Sequence, residues 1–229
     1  MYVRPASSLK REIKEIVIAD IVLTIAFSFT LLGGIENLTG YSALMNLLLF
    51  IPISAVGVTL SFVLHELMHK FVAQRYGAIA GFQSSRSGLL ITIATGLFGF
   101  LLGIPGATMI YADRFTKRQN GIVSLAGPAT NFVVFLAFLA IRVFGNPTGY
   151  LLELVSIVMF ISILLAFFNM LPIMPLDGSK VLAWNPYVYF ATMGVIFILT
   201  LLFTAISLTE IILMFIIALI FSMFYRTML

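Results

Sequence analysis

This 229-residue sequence has no cysteine, only two histidines and little charge, with 10% of its residues Asp, Glu, Lys or Arg. The missing thiols exclude disulfides, thiolate metal ligands and cysteine nucleophiles. So little charge excludes the solvated surface of an ordinary soluble domain. Polar stretches long enough to bury a core of their own are also missing, so a single membrane-embedded unit over 1–229 is expected. Apolar residues take their place: 61% of the chain is hydrophobic, 22 residues are Phe, and the mean hydropathy is +1.13. A helix needs about 20 apolar residues to cross a bilayer, and several unalternating runs reach that length. The expected class is an all-α polytopic membrane protein whose surroundings are lipid. The net charge of +4 does not call for a nucleic-acid partner, because the basic residues are scattered at loop ends.

Six spans are expected, at roughly 16–34, 44–76, 121–144, 151–171, 187–206 and 209–226. The opening "MYVRPASSLKREIKE" lacks a cleavage site and reads as a basic entry segment before a retained first span. Between the second and third spans lies a stretch rich in glycine and β-branched residues, which fits short strands or a re-entrant segment. Residues 89–104 are apolar enough to enter a membrane but short for a crossing. Gly99 and Gly103 have a spacing suited to helix packing.

Charge distribution tests this layout. With the N-terminus in the cytoplasm, the inside segments hold Arg4, Lys10, Arg11, Lys14, Lys70, Arg75, Arg86, Arg114, Lys117, Arg118, Lys180 and Arg226, and only Arg142 falls outside. That is the positive-inside pattern, with both termini cytoplasmic. A full crossing by 89–104 would put the later charges on the wrong face, so the re-entrant path is expected.

Both histidines occur in one pentapeptide, His65-Glu66-Leu67-Met68-His69, at the end of an apolar run. Ionisable groups in such a run call for a functional reason. Positions i and i+4 share a helix face, so the two imidazoles can aim at one point. Two neutral imidazoles suit Zn2+, and a catalytic site needs a third protein ligand and an open position. Glu66 lies about 100° round the helix, off the metal yet within reach of the attacking water as a general base. It stands about ten residues before Arg75, hence roughly 15 Å inside the cytoplasmic boundary.

No third histidine exists, so the third ligand is sought among the acids. Glu36, Glu153 and Glu210 fall on the outer face, Glu12 and Glu15 in the entry segment, and Asp113 beside Arg114 in a polar loop. Asp177, in "FFNMLPIMPLDGSKVL", follows two prolines that end a span and opens a short helical stretch. An Asp-Gly turn needs no metal, but elimination of the other acids favours Asp177 as the ligand. Asn131, in "SLAGPATNFVV", is polar inside the third span. It fits an oxyanion donor as readily as an interhelical hydrogen bond.

HELMH in a membrane span, GPATN in the next full span and NMLPIMPLDG beyond it together resemble the site-2 protease family of intramembrane zinc metalloproteases. The resemblance covers about 44–183, and this chain shows LDGS where the family usually has LDGG. It implies one catalytic Zn2+ held by His65, His69 and Asp177, Glu66 as general base, and Asn131 as a substrate-facing residue. It also implies a transmembrane protein substrate cut within the bilayer, towards the cytoplasmic side. Members often add a PDZ or CBS module, for which this sequence has no room. An extended edge within 104–112 is expected to pair with the unwound substrate, through Ile104, Pro105, Gly106, Ala107, Thr108, Met109 and Ile110. The competing expectations are a metal transporter using the same ligands and a catalytically silent scaffold of the same fold.

Overall fold

The computed structural model describes residues 9–101, 103, 105–204, 209, 211, 212, 215, 216, 219, 220 and 223. Among these, five helices are long and apolar enough to cross a membrane: Leu9–Leu32, Gly40–Arg75, Lys117–Gly145, Gly149–Asn169 and Pro186–Phe203. They correspond to the first five expected spans. The sixth, 209–226, falls mostly outside the described residues. Large apolar side chains such as Leu90, Phe144, Phe190 and Leu202 lie on the outer surface, where only lipid would solvate them without cost.

The first helix, α1 (Leu9–Leu32), begins earlier than its apolar run because the charged entry segment is part of it. Its carboxylates are not spare. Glu12 is buried and accepts from Lys70 Nζ at 2.8 and 2.6 Å and from the Phe82 amide at 3.2 Å. Glu15 accepts from the Ser84 amide at 3.0 Å.

The second span is one helical rod in three pieces: α2 (Gly40–Val58), a π-helical turn over Thr59–Val63, and α3 (Leu64–Arg75). The extra residue of a π turn rotates everything that follows it, and such turns recur at functional sites. Here it immediately precedes the histidine pentapeptide. Its Ser61 hydroxyl lies 2.7 Å from that of Ser162, a buried contact to the fourth span.

After α3 the chain forms β1 (Ile79–Ser84), a 12-residue helix α4 (Arg86–Leu97) and β2 (Gly106–Tyr111). The strands pair antiparallel, from Ile79 opposite Tyr111 to Ser84 opposite Gly106. The Ser85 amide donates to the Pro105 carbonyl at 3.0 Å, so the chain returns to the point from which it left. A 12-residue helix is about 18 Å long, well short of the roughly 30 Å hydrocarbon core. The chain therefore leaves the sheet and returns to it without a helix long enough to span, and between the strands lies the helix α4.

The glycines that seat this excursion differ in part from those expected. A side chain on Gly96 would strike the backbone of Ala26 in α1, its Cβ 2.6 Å from the Ala26 Cα. Gly99, at φ +83°, is pressed against Gly33 and Gly34. Gly103 meets only the Leu23 side chain, at an ordinary 3.6 Å.

The remaining helices are α5 (Lys117–Gly145), α6 (Gly149–Asn169), α7 (Asp177–Trp184) and α8 (Pro186–Phe203). Thr116 and Gln119 cap α5 reciprocally, and the Asn185 side chain caps α8. Phe135, Phe167, Met170, Val181 and Ile196 form one core among these helices. Leu23, Phe27, Phe62, Phe82 and Ile161 form another against α1 and the sheet. The histidine segment lies between the two.

A bulkier residue at Gly96 must push α4 off α1. Gly96→Val is expected to cost about 1–3 kcal/mol and to lower the melting temperature in detergent by several degrees. Gly103→Ala should leave it unchanged within error.

Candidate active site

Each part of the site comes from a different break in helical regularity. His65, Glu66 and His69 lie on one buried face of α3, just past the π turn. Asp177 is the first residue of α7, at the end of the proline-rich turn after α6. That turn is tight. A Cβ on Gly178 would strike the Met170 carbonyl, so the glycine lets α7 start close to the end of α6.

These elements bring three ligand atoms together. His69 Nε2 lies 2.9 Å from His65 Nε2 and 3.0 Å from Asp177 Oδ2, and His65 Nε2 lies 3.4 Å from the same oxygen. The edges of a tetrahedral zinc site with bonds of about 2.0–2.1 Å run to about 3.3–3.4 Å, so this triangle needs only slight expansion to hold one ion. Among the described residues it is the one group of three or more His, Asp or Glu residues arranged to hold a metal. Lys180 Nζ lies 3.7 Å from the other Asp177 oxygen, Oδ1.

The hydrogen bonds behind the ligands test the fit. His69 Nδ1 lies 2.7 Å from the Val123 carbonyl. A carbonyl only accepts, so Nδ1 carries a proton, which leaves Nε2 as the nitrogen whose lone pair a metal would use. Asn131 is fully buried, with its Nδ2 3.1 Å from His65 Nδ1 and its Oδ1 without a partner. Turning the amide over sets Oδ1 against an Nδ1–H. His65 Nε2 is then a lone pair as well. With both Nε2 atoms unprotonated, two imidazole lone pairs and a carboxylate oxygen within 3.4 Å of one another are donors for a single cation among them. The donor set therefore fits zinc.

Asn131 thus faces a ligand. The interhelical hydrogen bond, left open by the sequence, is what it makes. Glu66 is buried beside the triad, and its carboxylate Oε2 accepts from the Thr108 amide at 2.8 Å and hydroxyl at 2.7 Å. Of the expected substrate strand, Gly106 to Ile110 do form an edge strand, with Pro105 just before it. Ile104 lies outside the described residues.

Two contributors carried no assigned role in the sequence. The Val123 carbonyl is a backbone group, invisible to any residue pattern. Gly127 belongs to the GPATN segment, but its function appears only in space. A Cβ there would lie 2.5 Å from His65 Nε2 and closer still to His69 Nε2. The bare glycine lets α5 pass the imidazoles while leaving the space in front of both ligand atoms empty.

A methyl group at that point competes directly with an ion. Gly127→Ala is expected to lower bound zinc at least tenfold, measured by elemental analysis of purified protein. Gly121→Ala, which meets Trp184 instead, should keep its metal even if it is less stable.

Comparison with known proteins agrees with this site. The chain is 40% identical over 182 residues to the "Putative zinc metalloprotease MJ0611" of Methanocaldococcus jannaschii, covering 79% of this chain and 87% of that protein. It is 29% identical over 146 residues to "Zinc metalloprotease MJ0392" of the same organism, a match spanning 61% of this chain but 36% of that protein. The "Putative zinc metalloprotease Rip2" of Mycolicibacterium smegmatis is 32% identical over 152 residues, 56% of this chain and 58% of that protein. No family model matches the chain, and no solved structure matches it. Apolar helices, a buried His-His-Asp site suited to one zinc ion and these relatives lead to one conclusion: the chain belongs to the site-2 protease-like family of membrane zinc metalloproteases.

Proposed function

We propose that this protein is an intramembrane endopeptidase that hydrolyses peptide bonds in or near the transmembrane segments of other membrane proteins. The observation that carries this reading is the placement of Glu66. It is a buried carboxylate beside the zinc-type triad, and no Lys or Arg among the described residues pairs with it. A transport site needs ligands but no such base.

His65, His69 and Asp177 would hold the zinc, which supplies Lewis-acid polarisation of the scissile carbonyl and a more acidic water. Glu66 would take a proton from the attacking water as the water oxygen bonds to the carbonyl carbon, and would deliver it to the leaving nitrogen as the C–N bond breaks. The Val123 carbonyl and Asn131 hold the imidazoles with their Nε2 lone pairs forward. Gly127 keeps that space clear. The apolar bundle excludes bulk water, which strengthens each electrostatic contact.

The sheet supports one docking mode. The outer edge of β1 is closed, because its Phe82 and Ser84 amides are bound by Glu12 and Glu15. On β2 the outward Thr108 amide is taken by Glu66, which leaves Ile110 as the outer-edge donor for extended substrate. Alternation along an antiparallel strand puts Ile110 on the same outer edge as Thr108. The charge asymmetry supports cytoplasmic termini and a site towards the cytoplasmic side.

In proteoliposomes containing a panel of single-span substrates, the wild-type protein should cleave, chelator should stop cleavage, and added Zn2+ should restore it. Glu66→Gln should lower kcat by about 10²–10⁴-fold with zinc content unchanged. Equal cleavage by the wild type and Glu66→Gln would overturn the reading, whereas zinc flux that survives the substitution would favour a transporter. Ile110→Pro removes one outer-edge donor and should lower kcat/KM with Glu66 and the metal ligands intact. Thr108→Pro cannot serve this purpose, since it also removes a donor to Glu66.

A further inference from the structure

We infer that Thr108 is the positioning residue for Glu66, holding one carboxylate oxygen so that the other is presented to the reacting water; this rests on the peptidase reading above. Thr108 makes three contacts to this one glutamate. Its amide and hydroxyl lie 2.8 and 2.7 Å from Oε2, and the hydroxyl also lies 3.1 Å from the Glu66 carbonyl. Among the described residues, every hydrogen bond to the carboxylate falls on Oε2.

The register explains how one residue supplies both donors. Phe82 and Thr108 are cross-strand partners. The Phe82 amide points out of the sheet to Glu12, and the Thr108 amide points out of the opposite edge to Glu66. Thr108 also sits on the half-buried face of β2, between exposed Ala107 and Met109. Its side chain therefore follows its amide towards α3.

Glu12 shows what a purely structural carboxylate looks like here. It accepts a strand amide too, but Lys70 Nζ bonds both of its oxygens, so neither is left to move a proton. Glu66 has neutral donors on one oxygen only. Hydrogen bonds to an ionised carboxylate are the strong ones, and two on one oxygen fix the plane and direction of the group. A one-sided clasp of this kind suits a base that must stay oriented and keep Oε1 free.

Thr108 also belongs to the strand proposed to receive substrate, so its two possible roles must be separated. Thr108→Val keeps the amide and the β-branched shape but removes the hydroxyl. It should lower kcat about tenfold to a hundredfold, with KM and zinc content unchanged within about twofold. Thr108→Ser, which restores a hydroxyl, should recover kcat to within about threefold. Wild-type kcat in Thr108→Val, a rise in KM alone, or equal losses in Val and Ser would each overturn the assignment.

A double-mutant cycle read by thermal unfolding, using Glu66→Ala and Thr108→Val, tests the pairing without activity. Non-additive shifts are expected for groups in contact, and additive shifts would overturn the clasp. Equal cleavage by the wild type and Glu66→Gln would sink the peptidase reading instead, and the cycle would still decide whether the pair is joined.

Discussion

A charged group inside an apolar bundle must be met by a partner, and the arrangement of this protein follows from how its buried acids and histidines are met. Glu12 is met by Lys70 and a strand amide, Asp20 by the Thr59 hydroxyl at 3.0 Å, and Glu66 by Thr108. His65, His69 and Asp177 meet one another, at distances that a single cation reconciles. These requirements bind elements far apart in sequence. Lys70 and Glu12 tie α3 to α1, Thr108 ties β2 to α3, and Asp177 ties α7 to both histidines. Removing one partner strands a buried group, so the site and the fold share the same contacts.

Close approach is the second condition. Ligand atoms about 3 Å apart can come from α3 and α7 only if the backbone between and behind them is thin. Gly127 provides this on α5, Gly178 at the start of α7, and Gly96 where α4 lies on α1. The π turn before His65 sets which way the metal-facing side of α3 points. None of these features carries chemistry. Each decides whether the chemistry can assemble.

Much of the architecture was legible because the bilayer leaves a chain few options. Apolar run length gave five helices now seen, with starts shifted where charged or glycine-led residues extend the helical geometry, as at Leu9 and Gly40. The i, i+4 histidines announced their shared target through helix periodicity alone. Asp177 was reachable by elimination, because a chain with so few acids offers few candidates. The excursion between the second and third spans was legible only in outline. Residues 86–97 are a helix, although their β-branched and glycine content equally suits strands, since packing on α1 overrides so weak a preference. Asn131 shows the same limit: its type and place in the chain were plain, but its contact with His65 depended on the rotation of α5 against α3.

By itself, then, the sequence determined the environment, the metal-binding residue types and their helical spacing. These follow from local periodicity and from the cost of placing polar groups in lipid. Only the tertiary structure decided which atoms serve which partner. It assigned Val123 O to His69, Asn131 to His65, Thr108 to Glu66, and the empty space beside Gly127 to the ligand atoms. Such assignments depend on helix rotation and strand register across 42 to 66 residues of separation. No local pattern encodes them, because packing of the whole bundle sets them together.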